Sequence, residues 1–175
     1  MELSARRQHV LETVLMPGTK YLDIRIFGVP EVKRQLFRGA AAAGNMKPVL
    51  EEVGLDMMYV IGLNFASQGR RGGGSWRQLT PEWLARKMAA GLSPEILVAT
   101  GALHDSMTQP GDPDQFYQVT NRSIKLESRL PYAEAHQHGN DHLPARPFVR
   151  FMPSDRERWV KMCERYLREA MGGLK

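Results

Sequence analysis

The stretch "YAEAHQHGNDHLPARPFVRF", Tyr132–Phe151, decides how the rest of the chain is read. It carries His136, His138 and His142, and it sets Arg146 between Pro144 and Pro147. Each proline fixes its own φ near −65° and steers the preceding residue away from helical conformation. The segment is therefore extended, and "RPFVRF" (146–151) reads as a short strand that sends Phe148 into the core. Arg146, held in a stiff frame, suits a bidentate contact with a carboxylate or with carbonyls. Upstream, "PYAEAHQHG" reads as one or two helical turns, with Pro131 first and Gly139 at the stop.

The histidines invite a metal reading, and their spacing argues against it. On a helix, His136 and His138 point roughly 160° apart, and Gly139 interrupts the i,i+4 pair of His138 with His142. A packed, hydrogen-bonding His136 with His138 and His142 on the surface is the better reading, with no metal and no cofactor. Hydrolase chemistry fares no better. No serine sits in a Gly-x-Ser-x-Gly elbow. Cys163, the sole cysteine, lies in an amphipathic helix, where a small apolar role fits better than an exposed thiolate. His104 and Asp105 are neighbours, which on a helix turns them away from each other. No catalytic residue emerges.

Working outward, the last element has the strongest signals. Ser154 and Glu157 have capping-box spacing, and Trp159, Met162, Cys163, Tyr166, Leu167 and Ala170 form an apolar stripe. Glu157 with Lys161 and Glu164 with Arg168 have the spacing of helical ion pairs. "FYQVT" and "SIKLES" alternate around Asn121-Arg122 and predict a hairpin over roughly 115–120 and 123–128. In "LTPEWLARKMAAG", Thr80 is a helix cap, Pro81 a first helical residue and Gly91 a stop. After "SPEILVATG", Gly101 splits the pattern, so a short helix follows a bend.

Further upstream, a helix is predicted from about Lys47 to Ala66, with its apolar residues on one broad face. "YLDIRIFG" (21–28) alternates as a half-buried strand. A helical pattern runs from Val32 to Ala43, and the first fifteen residues suit a helical arm that "MPGTK" breaks. "SQGRRGGGS" (67–75) reads as a flexible basic surface loop. It lacks the Gly-Lys-Ser/Thr of a phosphate loop, but Arg70 and Arg71 could grip a partner or phosphates.

Composition bounds the function. The chain has 175 residues and a net charge of +5, enough for one domain with an arm. That charge is mild and dispersed, which does not indicate sequence-specific nucleic-acid readout. No apolar run reaches the roughly 20 residues of a membrane span, and the N-terminus lacks a signal-peptide pattern; a soluble protein made in the cytoplasm is expected. Ten methionines hint at adaptable packing surfaces.

Several of these residues also carry a resemblance. Tyr132, Ala133, His136, Gln137 and Gly139, then Pro144 to Phe148, then Asp155 opening the last helix, resemble the signature of the phage virion morphogenesis, or tail-completion, family of tailed bacteriophages. Trp76, Leu79, Thr80, Pro81 and Lys87, followed by Leu97, Thr100, Gly101 and Leu103, are similar to its upstream segments in the same order. The likeness is good over 64–175 and loose over 21–63, which divides the chain into an arm (1–20) and one tail-completion-like domain (21–175).

The resemblance implies an α+β fold: a small antiparallel sheet packed by helices, with a long C-terminal helix and a helical N-terminal arm. It also implies a structural virion protein of the neck rather than an enzyme, needing no cofactor. Such a protein forms a ring, typically hexameric, at the head–tail junction. Its partners would be its own copies, a head-connector or stopper protein, and a tail tube or tail terminator protein. Genomic DNA would pass through the lumen without sequence-specific binding, and no membrane is involved. Arg70, Arg71, Trp76 and Arg146 are the interface candidates. Thr100, Gly101, Tyr132, His136, Gln137, Gly139, Pro144, Arg146, Pro147 and Phe148 are expected to shape the fold. The rivals are a nucleic-acid-binding accessory protein using loop 67–75 and, further off, a metal-dependent enzyme.

Overall fold

Helix α1, Lys47–Ala66, organises the molecule. In the computed structural model, which describes residues 24–25 and 44–170, α1 occupies the span read from the sequence. Its burial is broader than one face. Val49, Leu50, Val53, Met57, Met58, Val60, Ile61 and Phe65 are all buried, because α1 packs against the helices Ala102–Thr108 and Pro153–Ala170 and the strands Gln115–Val119 and Ile124–Ser128. A helix that is apolar nearly all round belongs in the centre of a core. Only a narrow stripe through Glu52, Leu55 and Tyr59 stays exposed.

The remaining elements surround α1. They are β1 (Ile24–Arg25), α2 (Pro81–Ala89), α3 (Ala102–Thr108), β2 (Gln115–Val119), β3 (Ile124–Ser128), α4 (Ala133–His138) and α5 (Pro153–Ala170). The strands form one antiparallel sheet in the order β1-β3-β2. Tyr117 stands opposite Leu126, and Ile24 pairs with Leu126 from the other side. The central strand turns Ile124, Leu126 and Ser128 into the core, while Lys125 and Glu127 pair at 2.7 Å. Ser128 is no misfit there. Its Oγ lies 2.9 Å from Ser106 Oγ on α3, and Gln115 Nε2 donates to Ser106 O. The fold is α+β with a long C-terminal helix, as expected. The arm at 1–20, the helical pattern at 32–43 and all but Ile24–Arg25 of the predicted strand lie outside the described residues.

Helix starts follow sequence chemistry at two places, by different routes. Thr80 caps α2, accepting from Trp83 N at 3.3 Å. At α5 the predicted Ser154–Glu157 box is not used. The helix begins two residues earlier than that box implies, at Pro153, and Asp155 reaches back to accept from Met152 N at 2.8 Å. Proline suits that first position because its missing N–H would have had no partner. Nor do the predicted pairs along α5 form. Arg158 and Arg165 instead reach Asp56 and Glu52 of α1, where Asp56 also accepts from Trp159 Nε1.

Candidate functional site

The segment 144–152 has no regular secondary structure and joins no sheet. The expected strand over 146–151 is absent because side chains satisfy its backbone instead. Gln137 Oε1 accepts from Phe148 N and Val149 N, and Gln137 Nε2 donates to Val149 O. From the other side, Asn64 Nδ2 donates to Phe148 O and Arg150 O, at 3.0 and 2.8 Å. Trp76 Nε1 donates to Pro147 O, and Arg146 N donates to His136 O. Two carboxamides thus replace two neighbouring strands. Buried backbone groups need partners, and here the signature residues supply them.

Gly139 lets the chain turn back into this clamp. Its φ is +75°, and a Cβ there would lie 2.7 Å from Ala145 N and 2.9 Å from Leu143 O. Phe148, fully buried, packs on Phe65, and Trp76 meets the same ring edge-on at 5.6 Å.

The second half of the signature lines a cleft of about 230 Å³ between α2, the 92–103 segment and α4. Arg146 is buried, and its Nε and Nη2 both donate to Arg77 O, at 3.2 and 3.1 Å. This is the bidentate carbonyl contact its stiff frame suggested. Lys87 donates to Glu95 O at 2.6 Å and Val98 O at 3.1 Å. Burial lowers the pKa of the Lys87 ammonium, with Glu95 opposing and Arg146 adding to the effect. His136 also lines the cleft, its ring edge-on to Tyr132 and its Nδ1 buried without a partner. Burial, then the charge of Arg146, holds it below the ordinary histidine range. Thr100 and Gly101 border the same space, Gly101 with φ +94° ahead of α3.

Loop 67–75 is more tightly tied than a flexible surface loop. Arg70–Gly72 form a 3₁₀ turn, and Gly69 sits where any Cβ would strike the Trp76 ring. Arg71 turns inward and pairs with fully buried Asp155 at the head of α5. Burial pushes the Asp155 carboxyl up. The Arg71 hydrogen bond, the Met152 N–H and the charges of Arg71 and Arg158 outweigh that and hold it below its ordinary value. Trp76 is likewise inside the core. Of the four interface candidates, Arg70 alone is exposed. The anchoring roles of Asn64 and Asp155 were missed; a polar residue amid the apolar pattern of α1 was the available signal for Asn64.

His104 and Asp105 do meet, against the sequence expectation, with Nδ1 and Oδ1 2.8 Å apart. The first turn of a short helix leaves both side chains room to bend toward each other. Thr108 Oγ1 approaches the same Nδ1, at 3.3 Å. A relay places its acid and its nucleophile on opposite ring nitrogens, so this cluster lacks relay geometry. Among the described residues, no group of three His, Cys, Asp or Glu side chains is placed to hold a metal ion. His138 and His142 are exposed.

A family model described as the phage virion morphogenesis family matches residues 29–168. Neither a curated protein nor a solved structure shows a significant match.

Proposed function

The chain belongs to the phage virion morphogenesis family, and on that premise we propose that it is a structural protein of the virion neck. In this reading it is a head–tail joining, tail-completion subunit that assembles as a homo-oligomeric ring around the DNA channel. Head-connector or stopper proteins lie on one side and tail tube or terminator proteins on the other. Genomic DNA passes without base-specific contacts, and no turnover is required of the chain.

The observation that carries this reading is the family match, which spans the signature segment and the cleft. The use of Gln137, Asn64 and Gly139 accords with it, since these residues brace a backbone rather than present a reactive group. The test is electron microscopy of lysates from phage with this gene inactivated. Full heads and finished tails accumulating unjoined, with joining restored by the gene in trans, is the expected result. Normally joined particles would refute it.

One observation favours the nucleic-acid reading. Arg70, Arg77 and Arg150 are all exposed near loop 67–75, with the Arg150 stem lying over Gly72. Phosphate binding by such a patch weakens steeply with salt. Salt-dependent DNA binding by the purified chain, lost on changing these arginines, would favour that role over the neck.

A further inference from the structure

We infer that the cleft beside Lys87 and Arg146 receives the exposed stripe of α1 from a second copy of this chain, in a head-to-tail contact. The inference rests on the ring reading above and specifies which surfaces meet.

The cleft has an unmet electrostatic demand. Lys87 and Arg146 are buried cations whose hydrogen bonds go to carbonyls, and neither forms an ion pair among the described residues. Buried charges are ordinarily paired. Glu95 acts on Lys87 through its charge without forming an ion pair, so the complement both cations lack is a paired carboxylate. The walls also ask for an apolar occupant: Leu79, Leu97 and Tyr132 line the cleft, and Trp83 stands over it 53% exposed.

The α1 stripe offers that combination. Leu55 and Tyr59 are 53% and 64% exposed, one helical turn apart on a helix otherwise sunk in the core. Glu51 and Glu52 precede Leu55 by four and three residues and so share its face. Their present partners are exposed: Lys47 lies 3.8 Å from Glu51, and Arg165 lies 3.6 Å from Glu52. Such pairs contribute little and exchange readily. Cleft on cleft would set cation against cation, and stripe on stripe acid against acid, which disfavours association. Cleft on stripe matches the signs, and repeated head to tail that contact propagates and closes rings.

The test uses the full chain with Cys163→Ala, carrying either Leu55→Cys or Trp83→Cys, one of the two with a mass tag. Both positions are exposed, so folding is retained and is checked by circular dichroism. The variants are oxidised with copper phenanthroline separately and mixed, in solution and in purified particles. Unmodified protein is treated in parallel with an amine-reactive cross-linker. Disulfide-linked dimers in the mixture alone, weakened by adding Glu52→Lys to the Leu55→Cys chain, are the expected result. Dimers of either variant alone would overturn the head-to-tail contact. Oligomers with the amine reagent but no mixed disulfide would overturn this contact while leaving the ring reading standing. No species above monomer with either reagent would overturn both.

Discussion

Gln137 does more for this fold than its polar character suggests. Its single carboxamide serves two backbone donors and one acceptor on the segment that enters the core. Gln137→Met leaves those three groups without partners at similar side-chain volume; a fully buried unmet group costs about 1–3 kcal/mol, and these part-buried ones cost less each because water can reach them. The variant should lose about 2–4 kcal/mol in urea unfolding, while the exposed Gln118→Met should stay within about 0.5 kcal/mol of wild type. Equal effects would remove the clamp from the account. The adjacent arginines of loop 67–75 differ in the same way. Arg71→Ala deprives buried Asp155 of its nearest partner, yet Arg158 remains 3.2 Å away. The expected loss is therefore about 1–3 kcal/mol, below the range for a wholly broken buried pair. Arg70→Ala should be neutral by the same measurement.

At the scale of elements, the turn after α4 is the sharpest constraint. Gly139 and Gly91 both have positive φ, at +75° and +68°, but only Gly139 has backbone atoms where a Cβ would go. Gly91→Ala should cost about 1–2 kcal/mol from the left-handed conformation alone. Gly139→Ala should cost clearly more, because Ala145 and Leu143 would have to move. Thermal melts of the two variants separate strain from collision, and matching losses would contradict the distinction.

Local chemistry made most elements readable. The Thr80 cap, the alternation on either side of Asn121-Arg122 and the apolar pattern of Lys47–Ala66 each declare themselves within a few residues. At 146–151 the entry of Phe148 into the core was legible, and the strand pairing was not. Two prolines favour extension, but nothing local reveals that Gln137 and Asn64 stand in for strands, Asn64 from over eighty residues away. The cleft was hidden for the same reason. Lys87 and Arg146 come together only through tertiary packing, and Arg71 was read as a free cation because its partner Asp155 lies far along the chain.

For the whole molecule, acid is the expected weakness. His136 and Asp155 both have folded pKa values below their ordinary 6.5 and 3.8, so the unfolded chain holds more protons as pH falls. The His136 contribution is complete above about pH 6.5 and is lost as pH drops through its folded value. The charged groups sharing its cleft, Lys87 from α2 and Arg146 from the proline-framed segment, are both cations, with Tyr132 as the neighbouring ring. The urea midpoint of wild type should fall between pH 7.5 and 5.5, and His136→Gln should flatten that decline. Asp155 adds a second loss only below about pH 3.8. An unchanged slope in His136→Gln would place the acid sensitivity elsewhere.

The family assignment gives the chain a part in phage virion morphogenesis, and the proposal is that it plays this part by fitting against its own copies at the junction of head and tail. Cryo-electron microscopy of the intact particle, focused on the neck, tests that most directly. The prediction is a closed ring of this chain around the DNA channel, with the exposed stripe of α1 seated in the next subunit's cleft. Mature particles that lack the chain, or that carry it as scattered single copies away from the junction, would contradict it.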